Sequence, residues 1–188
     1  CRVTTKIYNG IALSYLEKGS IKVHYPFFVK LNYQSKIAAQ ATDFFGLNYY
    51  SHSHLKFKFD SYEFFENKFF SHDTMTDMPY VIYPEGLYRA IKQAEKIKKP
   101  IIITENGIAD SKDDRRGLFI EKYIYAMNKA MQEGINVEGY FYWSLMDNFE
   151  WAEGYDMRFG LYEVNFKNQK RTLRKGSQKF IDIINDSK

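Results

Sequence analysis

The sequence predicts an α/β fold organised around a parallel sheet. Three apolar strand candidates alternate along the chain with segments whose apolar residues recur at helical spacing, and this order is typical of parallel βα units. The clearest strand is residues 101–104, a β-branched run that follows Pro100 and ends directly on Glu105. Such runs are typical of strands covered by helices on both faces. Three strands are too few to close a sheet on itself, so we expect the chain to be part of a larger fold.

The first forty or so residues show weak periodicity. A helix is predicted over residues 11–18, ending at Gly19, and a loop-like stretch follows through Pro26. Residues 43–50 form the next strand candidate. Like the strand before Glu105, this segment ends in residues that can form hydrogen bonds.

A long aromatic and charged insertion occupies residues 51–80. Residues 56–60 alternate at period two, the pattern of an exposed hairpin strand. The insertion is longer than ordinary connections, and connections of this length are usually functional or mobile. His52 and His54 lie at strand spacing and could share a metal ion. Because no third ligand is apparent, we interpret them as polar loop residues.

Two helices flank the strand that ends at Glu105. The first begins at Pro84, whose missing N–H costs nothing in a first helical turn. The second is predicted over residues 118–132, with Gly134 as its C-cap. The apolar faces of these two helices comprise Leu87, Ala90, Ile91, Ala94 and Ile97, and then Ile120, Ile124, Met127 and Met131.

A third strand and a last helix complete the pattern. Residues 137–143 are predicted as a strand that ends at Trp143, and a long loop is expected from there to about Arg174. The final helix carries Phe180, Ile181 and Ile184 at helical spacing.

Composition and charge limit the classes of function. The net charge is only +4 and the basic residues are dispersed, so we find no basic stripe of the kind that nucleic-acid binding needs. No apolar run approaches the roughly 20 residues of a membrane span, and no signal-peptide segment is apparent. The one cysteine, Cys1, cannot form an internal disulfide, which favours the cytoplasm. We expect no cofactor, no nucleic-acid partner and no membrane partner.

Glu105 is the first candidate for chemistry. Catalytic side chains gather at the carboxyl ends of parallel strands in folds of this class, and Glu105 lies at such an end. From this stretch alone, the alternative is that Glu105 solvates the end of the strand or caps the next turn.

The loop after the last strand carries the most specific motif. Residues 143–151, WSLMDNFEW, together with residues 154–155 and 158–161, resemble glycoside hydrolase family 1, the retaining β-glucosidases and β-galactosidases. Residues 103–107, ITENG, are similar to that family's nucleophile motif at strand seven. Residues 46–50, GLNYY, are similar to its motif at strand six.

The resemblance covers residues 43–188 well and the first forty or so residues loosely. It implies that residues 1–188 are the C-terminal portion, about strands six to eight, of a single (β/α)8 TIM barrel. It also implies an N-terminal portion outside this chain, which would be the partner of these residues in the complete barrel.

The family resemblance implies a set of site residues. Glu105 would be the nucleophile of a retaining glycoside hydrolase, and Tyr50 would hold it in position. The substrate, a β-glucoside or β-galactoside, would contact the following residues: Asn48, Trp143, Glu150, Trp151 and Phe159. An indole suits the C–H face of a sugar ring, and a carboxylate can accept from two hydroxyls at once.

Two features refine the implied function. Members that act on 6-phosphorylated sugars lack an acid at the position of Glu150, so this chain resembles enzymes for unphosphorylated glycosides. The family's acid/base motif, Thr-x-Asn-Glu-Pro at strand four, is absent from the 188 residues. The acid/base Glu would therefore come from the N-terminal portion. The alternative function is a non-catalytic glycan-binding or interaction protein derived from the same family.

The remaining departures from the family pattern are small. Asn165 stands where an Asp is usual, Tyr123 where a His is common and Leu173 where a Pro is frequent. None of the three touches the chemistry that the resemblance implies.

Overall fold

A parallel sheet of three strands lies at the centre of the described fold. The computed structural model describes residues 9–25, 29–35, 37, 41–58 and 65–187. Strands β3 (Phe45–Asn48), β6 (Ile101–Asn106) and β7 (Val137–Tyr142) are adjacent in the order β3-β6-β7, and both pairings are parallel. The three strands that the sequence predicts are therefore confirmed, with the strand before Glu105 in the middle.

Helices α2 (Pro84–Ala94) and α3 (Arg116–Gln132) connect these strands and pack against each other. Leu87 and Ile91 of α2 and Ile101 and Ile103 of β6 are all fully buried in one apolar cluster. Each such side chain contributes about 1.5–3 kcal/mol when it leaves water. The cluster holds β6, and therefore Glu105, against its neighbours.

The predicted second helix is correct in place but not in all of its buried face. Helix α3 begins at Arg116, two residues before the predicted start. Met131 is 42% exposed, whereas Tyr123 and Ala130 are fully buried. The buried face thus follows Phe119, Tyr123 and Ala130 more closely than the predicted line through Met131.

The N-terminal prediction is half right. Helix α1 (Ile11–Lys18) ends where predicted, because Gly19 takes a left-handed conformation and donates its N–H to the carbonyl of Tyr15. The predicted loop that follows is wrong, since β1 (Ser20–Tyr25) pairs in antiparallel fashion with β2 (Val29–Gln34). Apolar residues face each other across this pair, with Val23 opposite Leu31, and that alternation was the missed signal. Pro26 lies outside the described residues.

The long insertion contains the predicted hairpin. Strand β4 (Leu55–Phe57) pairs with β5 (Phe65–Asn67) in antiparallel fashion. Phe59 and Asp60, the last residues of the alternating pattern, lie outside the described residues.

The segment predicted as a long loop before Arg174 is partly regular. It contains a hairpin of β8 (Tyr162–Asn165) and β9 (Lys170–Leu173), and a short 3-10 helix at Trp151–Glu153. The strands are short and mostly exposed, so they lack the apolar pattern by which strands are recognised. A 3-10 turn, Lys175–Ser177, leads into the predicted last helix, α4 (Gln178–Asp186). Within the described ranges, no helix has the length and apolar character to cross a membrane.

Candidate active site

A β-bulge at the end of β6 determines where Glu105 faces. Leu47 is paired with Ile103, but the next residue of β3, Asn48, is paired with Glu105 rather than with Thr104. One extra residue in β6 therefore changes the register at this point, and such a shift re-aims the side chains that follow it. Glu105 is directed towards the residues that follow β3.

Glu105 and Tyr50 form a hydrogen bond. The phenolic O–H of Tyr50 donates to Oε2 of Glu105 at 2.6 Å. Burial raises the pKa of Tyr50 well above its ordinary value, and the hydrogen bond and negative charge of Glu105 raise it further. Tyr50 therefore remains a neutral donor at physiological pH. The structure therefore contains the predicted contact, in which Tyr50 holds the carboxylate of Glu105.

Aromatic rings hold Tyr50 from two directions. Its ring meets Phe159 at 6.2 Å with an edge-to-face angle of 81°, and Tyr80 at 6.1 Å. Phe159 is itself 3% exposed. These contacts limit the movement of Tyr50 and place Phe159 beside it. Contact of Phe159 with a substrate, which the family resemblance implies, stays a prediction. Tyr80 belongs to the insertion and was not singled out from the sequence.

Asn48 is the last residue of β3 and precedes Tyr50 by two positions. Its Oδ1 accepts a hydrogen bond of 2.6 Å from the hydroxyl of Thr104, so the amide has a fixed orientation. Asn48 itself is exposed at the end of β3, which is the position that a substrate-binding residue would need.

Gly107 allows the ends of β6 and β7 to meet. A Cβ atom at this position would overlap with the carbonyl oxygen of Trp143. The N–H of Trp143 donates to the carbonyl of Asn106 at 2.9 Å. Because no side chain intervenes, Trp143 lies at the same strand-end edge as Glu105.

Glu150 reaches the same region through the loop after β7. Its backbone N–H donates to the carbonyl of Gly154 at 2.6 Å, and its negative charge contributes to the raised pKa of Tyr50. Among the described residues, no donor reaches the buried Oε2 of Glu150. An unpaired buried acceptor is unfavourable until a donor reaches it. By contrast, Trp151 is 84% exposed, so the chain itself does not cover this predicted site residue.

Known proteins resemble this chain in sequence and in fold. The sequence pattern of glycosyl hydrolase family 1 matches residues 6–188, which is nearly the whole chain. The chain belongs to this family.

Individual relatives of this family 1 chain support the assignment. A β-galactosidase of Pyrococcus woesei is 50% identical over 103 residues, covering 55% of this chain and 20% of the relative. β-Glucosidase A of Acetivibrio thermocellus is 32% identical over 96% of this chain and 42% of its own length. The solved β-glycosidase from Pyrococcus horikoshii superposes with a TM-score of 0.80 at 35% identity, over 97% of this chain and 42% of that protein.

The chain thus spans less than half the length of these relatives. Its three parallel strands form part of the (β/α)8 barrel of family 1, which confirms the predicted fold class.

Among the described residues, Arg116 forms an extensive set of hydrogen bonds that was not predicted from the sequence. Its guanidinium is fully buried and donates to the carbonyls of Ile108, Asp110, Arg158 and Phe159 and to the side chains of Asp113 and Tyr142. These bonds tie the loop after Glu105 to the loop that carries Phe159. No local pattern in the sequence distinguishes a buried guanidinium from an exposed one.

Asp147 performs a similar task in the loop that carries Glu150. Its buried carboxylate accepts from the N–H groups of Gly160 and Val164 and from the guanidinium of Arg174 at 2.8 Å. A buried charge needs such partners. The loop therefore has a fixed base although Trp151 at its tip is exposed.

His52 and His54 contact each other. Their Nε2 atoms are 2.7 Å apart, so one ring donates and the other accepts. Burial and then the neighbouring His54 lower the pKa of His52. Among the residues that the structure describes, no cluster of three or more potential ligands for a metal ion is found.

Proposed function

We propose that this chain supplies the nucleophile and much of the sugar-binding surface of a retaining β-glycosidase. Its substrates would be unphosphorylated β-glucosides and β-galactosides. The single observation that best supports this is the carboxylate of Glu105 at the end of the central strand, held at 2.6 Å by the phenol of Tyr50. Family membership supports the same class of reaction.

Glu105 would act by covalent catalysis. In this reaction its carboxylate attacks the anomeric carbon while a second carboxyl group protonates the leaving oxygen, and water then releases the sugar. The two carboxyl groups of retaining enzymes are about 5–5.5 Å apart. The second would be a Glu of the N-terminal portion.

Tyr50 would position the nucleophile. A carboxylate that accepts a hydrogen bond is held in one orientation and is favoured in its charged form, which is the form that attacks. Because its pKa is raised, Tyr50 stays neutral, so its phenol donates to Glu105 and adds no second negative charge beside the carboxylate.

The sugar would bind among the remaining site residues. Trp143 offers an indole face at the strand edge, and the unpaired Oε2 of Glu150 offers an acceptor for a hydroxyl. Trp151 and Asn48 would contribute further hydrogen bonds, and Phe159 would close the side behind Tyr50. A carboxylate at residue 150 would repel a sugar phosphate, which supports unphosphorylated substrates.

The partner of this chain would be the N-terminal portion of the same barrel. Within the described residues, β3 and β7 pair only with β6, so each leaves one edge of the sheet unpaired. Unpaired edges readily accept another strand. The N-terminal portion would supply the strands that complete the barrel, together with the acid/base Glu.

Substitution of the nucleophile tests the proposal. In the assembled barrel, Glu105→Gln keeps the size of the side chain but removes the nucleophilic oxygen, so turnover of an aryl β-glucoside should fall by about 10³-fold or more. Glu163→Gln, on the exposed strand β8, is the matched control and should retain activity. Activity of Glu105→Gln within about tenfold of the wild type would contradict the assignment and favour a non-catalytic role.

A further inference from the structure

Asn106, the residue after Glu105, is fully buried and joins three strands. Its Nδ2 donates to the carbonyl of Tyr49 at 2.6 Å, and its Oδ1 accepts from the hydroxyl of Tyr140 at 2.7 Å. Its backbone carbonyl accepts from the N–H of Trp143 at 2.9 Å. At 0% exposure, with both amide atoms engaged, Asn106 cannot itself touch a substrate. Any effect on catalysis must pass through its partners.

The bond to Tyr49 acts on Tyr50 through the peptide unit that the two residues share. Because a peptide unit is planar, fixing the carbonyl of Tyr49 also fixes the direction in which the backbone enters Tyr50. The N–H of Tyr49 donates to the carbonyl of Glu105 at 2.9 Å. The chain is thus held on both sides of Tyr49, immediately before the residue that contacts the nucleophile.

Tyr140 determines the orientation of the Asn106 amide. The hydroxyl of Tyr140 donates to Oδ1, so the NH2 group must be the atom that faces the carbonyl of Tyr49. Burial raises the pKa of Tyr140, so its hydroxyl remains protonated. Its ring packs against Phe180 of α4 at 6.0 Å. The chain of contacts therefore runs from the last helix to Tyr50.

We propose that Asn106 is a positioning residue for the Tyr50–Glu105 hydrogen bond. It clamps the end of β3 to β6 and β7, so that Tyr50 reaches the carboxylate without rearrangement during the reaction. This inference rests on the proposed function, since it assumes that Glu105 is the nucleophile. It adds that a buried amide that does not touch the sugar controls the rate of attack.

A double-mutant cycle in the assembled barrel tests this inference. Asn106→Ala should lower kcat/KM for an aryl β-glucoside by about 10–100-fold, mainly through kcat. In a Tyr50→Phe background the same substitution should cost less than about threefold, because the group that Asn106 positions is already absent. Tyr140→Phe removes one anchor of Asn106 and keeps the ring. It should lower kcat/KM by less than Asn106→Ala does, and this fall should again be smaller in the Tyr50→Phe background. Tyr140→Phe carries the test if Asn106→Ala does not fold.

Ser177→Ala is the matched control for a purely structural effect. Ser177 is also fully buried, and its hydroxyl donates to the carbonyl of Leu161 at 2.8 Å. Its substitution should lower the melting temperature equally in the wild-type and Tyr50→Phe backgrounds, without coupling to Tyr50. Independent, multiplicative effects of the Asn106 and Tyr140 variants with Tyr50→Phe would overturn the inference.

Glu105→Gln in the same assay separates this inference from the proposed function. If Glu105→Gln is inactive but the cycle shows no coupling, the positioning role fails and the function stands. If Glu105→Gln remains active, both are overturned.

Discussion

Glu150 has a buried carboxylate oxygen, Oε2, that no donor reaches within the described part of the chain. Its backbone is fixed by the hydrogen bond to Gly154, and the loop beneath it is anchored by Asp147. A fixed acceptor that lacks a donor is prepared for a hydroxyl of the ligand, since binding would then restore the missing hydrogen bond.

We therefore expect Glu150→Ala to weaken turnover of β-glucosides and β-galactosides together. One carboxylate would serve hydroxyls that both sugars present, and loss of a charged acceptor should lower kcat/KM for each by about 10-fold or more. Glu153→Ala, three residues away and exposed, is the control. Parallel assays of the two aryl glycosides measure the effect, and a loss confined to one sugar would contradict the shared role.

Some of the residues in the candidate site could be predicted from the sequence, and others could not. The contact between Glu105 and Tyr50 could be predicted because both residues lie at strand ends within the family's motifs. The buried hydrogen bonds of Arg116 and Asn106 could not be predicted, because they depend on burial and on partners distant in the chain. A local pattern contains neither kind of information.

At the scale of elements, the site depends on close approach of strand ends. The bulge in β6 aims Glu105, and Gly107 lets β6 and β7 converge at Trp143. The central strand was predictable from its continuous β-branched run, and β3 and β7 from the family motifs that begin within them or follow them. Strands β8 and β9 were missed because they are short and mostly exposed, whereas β1 and β2 were missed because the alternation of their apolar residues was overlooked.

Two glycine substitutions test whether the close approach of β6 to Trp143 requires a glycine at position 107. Gly107→Ala should destabilise the assembled barrel by about 1–3 kcal/mol, because the added methyl group overlaps with the Trp143 carbonyl. It should also lower activity, since Trp143 must move. Gly117→Ala, within α3, meets its nearest atom, the carbonyl of Gly176, at 3.4 Å. It should be neutral or stabilising by up to about 1 kcal/mol. Thermal melts and assays of both variants provide the measurement, and equal effects would contradict this account.

At the scale of the whole molecule, the described chain has an incomplete sheet. The outer edges of β3 and β7 have no partner strand among the described residues, and Phe141 of β7 is 62% exposed. Free edges and uncovered apolar surface favour association with other chains. An interface that covered these edges would resemble a domain core that has been cut in two.

Residues 1–188 expressed alone should therefore not form a stable monomer and should have no glycosidase activity. Mixing them with an N-terminal portion should restore both, because the missing strands would pair with both edges. Size-exclusion chromatography, a thermal melt and an aryl β-glucoside assay test this. A cooperative melt of a monomeric isolated chain would refute the claim that it is only part of a barrel.

Covalent trapping of the intermediate would identify the nucleophile, which we propose is Glu105 of a retaining β-glycosidase. A 2-deoxy-2-fluoro β-glucoside should inactivate the assembled barrel by forming a glycosyl-enzyme that hydrolyses slowly. Mass spectrometry of the digested protein should then place the label on the peptide that contains Glu105, with no other carboxylate modified. A label mapped to a different carboxylate, or no label after complete inactivation, would contradict the account.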